Sequence, residues 1–218
     1  MGYASLHPSY GSYERSRFGF SCRMGGAKRN PSKPYTITYR IMTEYRRNFV
    51  KGGSYFFTVT LAVRSQKLLV DHIDALREAF RHVKTEHPFV LDAMVVLPEH
   101  LHCIWTLPTG DANYPDRWRR IKAAFSRSLP DRYPRSPSKI LKGERGIWQR
   151  RYWEHTLRDE EDWQRHMDYI HYNPVKHQHV KQVADWPYST FHRYVETGTY
   201  SRNWAGNGES GEVEFGEI

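Results

Sequence analysis

The stretch that decides the fold is FVLDAMVVLPEHLHCIWTL, residues 89–107. Two runs within it, 89–97 and 101–107, are rich in apolar, β-branched and aromatic residues, which predicts a strand in each. Pro98 and Glu99 form a tight break between them. Because so short a connection joins antiparallel neighbours most easily, the stretch predicts a β-hairpin.

The second strand of this hairpin places His100 and His102 on one face, since successive side chains on a strand point to opposite faces. Two imidazoles at this spacing can converge on one metal ion. The alternative is a pair of surface histidines, because the chain holds 12 histidines in all. The other face is the better core face, and it carries Leu101, Cys103, Trp105 and Leu107.

Upstream of the hairpin, the pattern predicts one more strand and one helix. The side chains of residues 55–61 fall into two alternating sets with a period of two residues, which is typical of a strand. Asp71 is a candidate N-cap for the helix that follows. The apolar positions of that helix recur at spacings of three and four, and they are Ile73, Leu76, Phe80 and Val83.

Downstream, two further helices are predicted. The first follows the spacing of Trp118, Ile121 and Phe125. The second opens with four acidic residues, 159–162, which the helix dipole favours, and Pro174 is expected to end it. Its buried stripe is Trp163, Met167 and Ile170. Strands and helices in this order predict an α+β sandwich, a mainly antiparallel sheet with helices packed on it.

The last of these helices carries a second pair of candidate functional residues. Tyr169 and Asn173 are four residues apart, so they share one helix face, with Arg165 and Tyr172 nearby. A phenol beside a carboxamide can serve as a nucleophile beside a metal ligand. The alternative is a half-buried tyrosine followed by an asparagine that caps the end of the helix.

Composition narrows the class of protein. The 218 residues hold 33 Lys and Arg against 24 Asp and Glu, a net charge of +9. Such a surface concentrates polyanions, nucleic acid first among them, although charge alone fits a merely soluble basic protein equally well. No run approaches 18 uncharged apolar residues, which argues against a membrane span. Cys22 and Cys103 suggest no disulfide framework, and no secretory signal is evident, so we expect a cytoplasmic protein.

Charge also divides the chain. Residues 1–41 hold seven Lys or Arg and one acid, which predicts a disordered basic arm. Residues 42–206 form the regular domain. Residues 207–218 hold four Glu and no Lys or Arg, and we expect a flexible tail that folds back to restrain DNA binding. Residues 130–146, rich in Pro, Ser, Lys and Arg, predict a mobile basic loop.

Residues 43–206 resemble the REP-associated tyrosine transposases, relatives of the single-tyrosine HUH transposases. Several segments in the same order carry the resemblance. They are TEYRR (43–47), VVLPEHLHCIW (95–105), WQRRYWEH (148–155), DYIHYNPVKH (168–177) and DWPYSTFH (185–192).

The resemblance implies a ferredoxin-like fold and an enzyme that binds and cuts single-stranded DNA at hairpin-forming repetitive extragenic palindromes. It implies that His100, His102 and Asn173 hold a metal ion and that Tyr169 is the nucleophile. Such a ligand set beside phosphate suits Mg²⁺ or Mn²⁺, and Zn²⁺ is also compatible with the donors. Attack by Tyr169 gives a 5′-phosphotyrosine and a free 3′-hydroxyl, so strands rejoin without a nucleotide cofactor. Monomer and dimer are both compatible with the superfamily.

Cationic and aromatic side chains are the candidates for DNA contacts. The cations suit phosphates and the aromatic ring suits an unpaired base, although core packing is the alternative for the aromatic. The set is Arg46, Arg47, Lys51, Arg117, Arg120, Trp148 and Lys176.

Two other functions are compatible with the sequence. One is a catalytically inactive, domesticated protein that only binds DNA hairpins. The other is a metal-dependent nuclease that uses water and forms no covalent adduct with DNA.

Overall fold

The computed structural model describes residues 47–130 and 135–204. Within these ranges, no helix combines the length and apolar character that crossing a bilayer demands. The predicted arm and tail, Arg46 and Cys22 lie outside the described residues. The strands are β1 (Ser54–Thr60), β2 (Val90–Val96), β3 (His100–Thr106) and β4 (Trp153–Thr156). The helices are α1 (Leu68–Asp71), α2 (Ile73–Glu86), α3 (Tyr114–Ser128), α4 (Pro137–Leu141), α5 (Glu160–Lys176) and α6 (Phe191–Glu196), with a 3₁₀ turn at Val183–Asp185.

The four strands form one antiparallel sheet in the order β2-β3-β1-β4. The predicted hairpin is β2–β3, and its turn closes where the Leu97 N–H donates to the His100 carbonyl at 2.9 Å. β3 lies in the interior of the sheet, where His102 pairs with Thr58 of β1 and Val95 of β2. The α+β sandwich predicted from the sequence is confirmed.

Helices cover both faces of the sheet, so both faces are buried. On the first face, α2 and α3 pack through Leu76, Phe80 and Trp118 against a core that includes Leu101, Cys103 and Trp105. On the second face, α5 and α6 pack against the opposite side chains of the strands. This second cluster includes Phe56, Ile104, Met167, Ile170 and Phe191. His100 and His102 are therefore buried beneath a helix, and the interpretation as surface histidines is wrong.

Two predicted helix boundaries are wrong. Asp71 does not cap α2, because the chain already turns in α1, which buries Leu68 and Leu69, and His72 stands at the N-cap. Pro174 does not end α5, which continues to Lys176. A proline removes one N–H from a helix, and the groups beyond it still close the last turn. The His177 and His179 N–H groups donate to the carbonyls of residues 173 and 174 at 3.0 and 2.9 Å.

Two of the residues predicted to contact DNA are structural. Arg117 is 4% exposed, and its guanidinium donates to the carbonyls of His87 and Pro88 at 3.1 and 2.7 Å. It also pairs with Asp111 at 2.6 Å, so it fastens the start of α3 to the turn before β2. Trp148 is 7% exposed and donates its indole N–H to a main-chain carbonyl of α3. Because both side chains are buried and hydrogen-bonded within the protein, their role in this structure is to stabilise the fold.

The segment predicted to be a mobile basic loop contains regular structure where it is described. α4 occupies residues 137–141, and Arg145 donates to main-chain carbonyls at the end of α3. Arg150 pairs with Glu144 at 3.0 Å. These bonds hold the segment against α3.

Replacing Arg117 tests its structural role. Arg117→Ala leaves buried carbonyls and a carboxylate without their donor, and we expect the free energy of unfolding to fall by about 3 kcal/mol. The matched control is Arg119→Ala, two residues along the same helix, where the side chain is 68% exposed. Its effect should stay below about 0.5 kcal/mol. Urea unfolding followed by circular dichroism measures both values, and equal effects would contradict this role.

Candidate active site

The two histidines of β3 are held from one side by hydrogen bonds to the protein. His100 donates its Nδ1–H to the Glu99 carboxylate at 3.0 Å, and His102 Nδ1 shares a hydrogen bond with the Thr58 hydroxyl at 2.9 Å. The two rings lie 4.8 Å apart at 83°. His102 Nε2 is buried and has no hydrogen-bond partner within the described residues. Each ring is thus fixed through Nδ1, which is how protein neighbours commonly orient a metal-binding imidazole.

The electrostatics keep His102 neutral. Burial lowers the pKa of His102 well below its ordinary value, and unfavourable charge interactions with His100, His177 and Lys176 act in the same direction. On the other side of the pair, the hydrogen bond from His100 lowers the pKa of Glu99 despite partial burial. A neutral imidazole has a lone pair that can bind a metal ion.

Helix α5 brings Tyr169 and Asn173 to this face of the sheet. The Tyr169 ring lies 5.2 Å from the His102 ring and 5.9 Å from the Phe56 ring. Asn173 lies one turn further along and is 0% exposed. Neither its carboxamide oxygen nor its nitrogen has a hydrogen-bond partner within the described residues. His177 is the C-cap of α5, so Asn173 is not a helix cap.

The end of α5 adds two more cationic or titratable groups to the site. The Lys176 ammonium lies 5.0 Å from the Tyr169 ring centroid. The His177 ring lies 5.2 Å from the His100 ring. His177 is not among the predicted site residues, because Pro174 was expected to end the helix before it. The signal was present, since His177 continues the four-residue spacing of Tyr169 and Asn173.

This donor set fits a divalent metal ion. His102 Nε2 and the Asn173 carboxamide are buried polar atoms that the described protein leaves without hydrogen bonds. Each such atom costs about 1–3 kcal/mol of folding stability, so an unexplained pair calls for a ligand. Imidazole nitrogen and carboxamide oxygen both bind first-row divalent ions.

A second group of possible metal ligands lies at the start of α5, where His155, Asp162 and His166 place ligand atoms within 4.8 Å of one another. Its carboxylate already accepts hydrogen bonds from His155 and Arg158 at 2.9 and 3.1 Å. Burial acts to raise the pKa of Asp162, but these bonds outweigh it and lower the pKa to about 2. His166 Nδ1–H donates to the Asp162 carbonyl at 2.7 Å. The group fastens the first turn of α5 to β4.

The remaining predicted DNA contacts lie in different surroundings. Lys51 is exposed. Arg120 pairs with Asp116 at 2.6 Å and keeps 39% of its side chain exposed. Arg47 lies 4.3 Å over the Tyr152 ring, with 31% of its side chain exposed. Of the predicted set, Lys176 is the residue that the structure brings to Tyr169.

Comparisons with known proteins assign this chain to a family. Residues 39–173 match the family described as "Transposase IS200 like", a range that includes both histidines of β3, Tyr169 and Asn173. A REP-associated tyrosine transposase of Escherichia coli (strain K12) is 49% identical over 166 residues, which are 76% of this chain and 93% of that protein. A relative from Haemophilus influenzae is 46% identical over 169 residues, 76% of this chain and 95% of its own.

A solved structure supports the fold as well. It is a REP-associated tyrosine transposase bound to a REP hairpin, with a TM-score of 0.66 and 49% identity, covering 76% of this chain and 93% of that chain. The chain therefore belongs to the IS200-like transposase family, in its branch of REP-associated tyrosine transposases.

Proposed function

We propose that the chain is a metal-dependent single-stranded DNA endonuclease and strand transferase that acts at hairpin-forming repetitive extragenic palindromes. Its nucleophile is Tyr169, and its metal ligands are His100, His102 and Asn173. The observation that carries the proposal is that the Tyr169 and His102 rings lie 5.2 Å apart. The helix that carries Tyr169 also buries the Asn173 carboxamide, which has no hydrogen-bond partner among the described residues. The resemblance of the whole domain to tyrosine transposases supports it.

The chemistry follows from the residue types. A phosphodiester is anionic and resists a nucleophile, so its charge has to be neutralised during attack. A divalent ion such as Mg²⁺ or Mn²⁺, held by the two imidazoles and the carboxamide, supplies Lewis-acid stabilisation of the phosphate. The Tyr169 oxygen attacks the phosphorus and gives up its proton, and the 3′ oxygen takes up a proton as its bond to phosphorus breaks. The products are a 5′-phosphotyrosine and a 3′-hydroxyl.

The covalent link explains why the reaction needs no nucleotide cofactor. A phosphotyrosine diester replaces the phosphodiester that was broken, so the free energy of the bond is retained. A 3′-hydroxyl attacks the same phosphorus, releases Tyr169 and rejoins a strand. The two steps together transfer a DNA strand.

The proposed partner is hairpin DNA. The relative of 49% identity whose structure is solved was bound to a REP hairpin, and this chain carries a net charge of +9. Arg47, Lys51 and Arg120 are the phosphate contacts that we retain from the predicted set, and we assign Lys176, beside the Tyr169 ring, to the reaction instead. An inactive hairpin-binding protein is the weaker alternative, since the chain keeps all four residues of the site.

Replacing Tyr169 tests the nucleophile. With Tyr169→Phe, we expect the covalent protein–DNA band to disappear while hairpin binding stays within about twofold of the wild type. The matched control is Tyr172→Phe, which removes a hydroxyl three residues along the same helix and should leave the band. A denaturing gel of an end-labelled hairpin with single-stranded flanks, in Mn²⁺ or EDTA, shows both. Metal-dependent cutting by Tyr169→Phe would identify a nuclease that uses water.

Metal affinity tests the ligand set without relying on activity. His102→Ala and Asn173→Ala should each weaken Mn²⁺ binding by at least about tenfold in isothermal titration calorimetry. The control is His155→Ala, in the second histidine group. Loss of Mn²⁺ binding in His155→Ala alone would move the metal to the start of α5.

The Lys176 ammonium lies 5.0 Å from the centroid of the Tyr169 ring, and we propose that it stabilises negative charge on the phenol oxygen during attack. We expect Lys176→Met to lower the single-turnover rate of adduct formation roughly tenfold, the effect of a unit charge at this range, with little change in hairpin affinity. Lys176→Arg should restore most of the rate. The control, Lys181→Met, removes an exposed lysine beyond α5. A loss of affinity without a loss of rate would make Lys176 a DNA contact only.

A further inference from the structure

A basic cavity of about 790 Å³ lies on the face of the sheet that α3 covers, away from the Tyr169 face. One wall is α3, which contributes Trp118, Arg119 and Lys122. The other wall is the segment 143–152, which leads directly into β4. The volume is within the range of pockets that hold small organic ligands.

Positive charges outnumber negative charges in the lining of this cavity. Among the described residues, the lining holds six cationic side chains and one carboxylate, Glu144, which pairs with Arg150. Two carboxylates outside the lining, Glu154 and Asp116, pair with Arg47 and Arg119. The cations are Arg47, Arg119, Lys122, Arg127, Arg145 and Arg150. Like charges gathered in a concave surface repel one another and focus a positive potential, which attracts a polyanion into the cavity.

One of these positive charges, that of Lys122, lies in a half-buried position within the fold. Its ammonium donates to the Gln149 carbonyl at 2.6 Å and lies 5.8 Å from the ring centroids of Trp148 and Tyr152. No ion pair joins it to a carboxylate within the described part of the chain. Burial, reinforced by the charge of Arg47, lowers the pKa of Lys122 to about 8. An anion in the cavity would compensate this half-buried cation.

The shape of the cavity selects among polyanions. A cavity of about 790 Å³ between a helix and a loop has the size of a small-molecule pocket, so it admits single nucleotides and is too small for a DNA duplex to enter. Proteins that bind single strands commonly combine a basic groove with aromatic or guanidinium surfaces for unpaired bases. Arg47, stacked 4.3 Å over Tyr152, supplies such a surface at the rim.

The cavity is connected to the active site through β4. Tyr152, in the cavity wall, packs 6.0 Å from Phe57 on the α3 face. The next residue, Trp153, lies on the opposite face, 5.6 Å from Phe56, and Phe56 in turn contacts Tyr169. β4 is the edge strand of the sheet, so a DNA strand that passes around this edge reaches both sites.

We propose that this cavity binds the single-stranded DNA that flanks the hairpin, an inference that rests on the function proposed above. Arg119 and Arg127 are the phosphate contacts at its exposed rim, and Lys122 is the contact in its interior. The cavity thereby holds the strand that is to be cut, while the active site cuts it on the other face of the sheet.

The test is a matched pair of double variants. Arg119→Ala with Arg127→Ala removes two cations from the cavity rim. The control, Arg77→Ala with Arg81→Ala, removes two exposed arginines from the neighbouring α2. The side chains of Arg81 and Arg119 are both 68% exposed, and each pairs with an acidic residue three positions before it. Fluorescence anisotropy compares binding to a hairpin with single-stranded flanks and to the same hairpin without flanks.

We expect the rim variant to bind the flanked hairpin at least tenfold more weakly, and the slope of log affinity against log salt to decrease by about 1.4 for two contacts with a single strand. Its affinity for the bare hairpin should stay within twofold, and the α2 variant should match the wild type on both DNAs. An unchanged affinity for the flanked hairpin, or equal weakening on both DNAs, would overturn the cavity proposal. The proposed function is judged separately, by whether the wild type binds the flanked hairpin and forms the covalent band.

Discussion

The burial of polar side chains between β3 and α5 is the constraint on which the rest of this structure depends. His102 and Asn173 are 1% and 0% exposed, and both contain polar atoms without hydrogen-bond partners in the described protein. A helix that only covered a sheet would place apolar side chains there. Each unpaired atom costs about 1–3 kcal/mol, so the surrounding apolar cluster around Phe56 and Ile170 has to offset that cost. The same packing excludes water and fixes Tyr169 against His102.

The two faces of the sheet carry different kinds of functional side chains. The α5 face holds, beside its apolar cluster, a small polar group formed by His100, His102, Tyr169 and Asn173, and the chemistry of this group suits a metal ion and a nucleophile. The α3 face holds the larger apolar core, and its margin beside segment 143–152 carries the concentrated positive charge. The link between Asp162 and β4 fixes the start of the helix that carries Tyr169 to the strand that adjoins the cavity. A rigid sheet between the cavity and the candidate active site keeps their separation constant, as the proposed function and the proposed binding of the flanking strand both require.

Local geometry explains which parts of the candidate site were predictable. The alternation of side chains along a strand predicted that His100 and His102 share one face and that Leu101 lies on the other. Helix periodicity predicted that Tyr169 and Asn173 share a helix face. The same kind of rule failed at Pro174, because a proline in the last turn removes one hydrogen bond while the following groups still close the helix. Because the helix was expected to end at Pro174, His177 was not predicted as a site residue. It follows Asn173 by four residues, a spacing that applies because α5 extends to Lys176.

By itself the sequence determined the hairpin, the α+β class and the residues of the proposed site, because these follow from periodicity over a few residues and from the order of family segments. Only the tertiary structure decided which cations are structural. Arg117 is buried and Arg119 is exposed, although they are two residues apart. Whether a long side chain is buried or exposed depends on which groups pack against it. For Arg117 those groups include main-chain carbonyls about thirty residues away in the chain. The basic cavity likewise exists only because segment 143–152 folds back against α3.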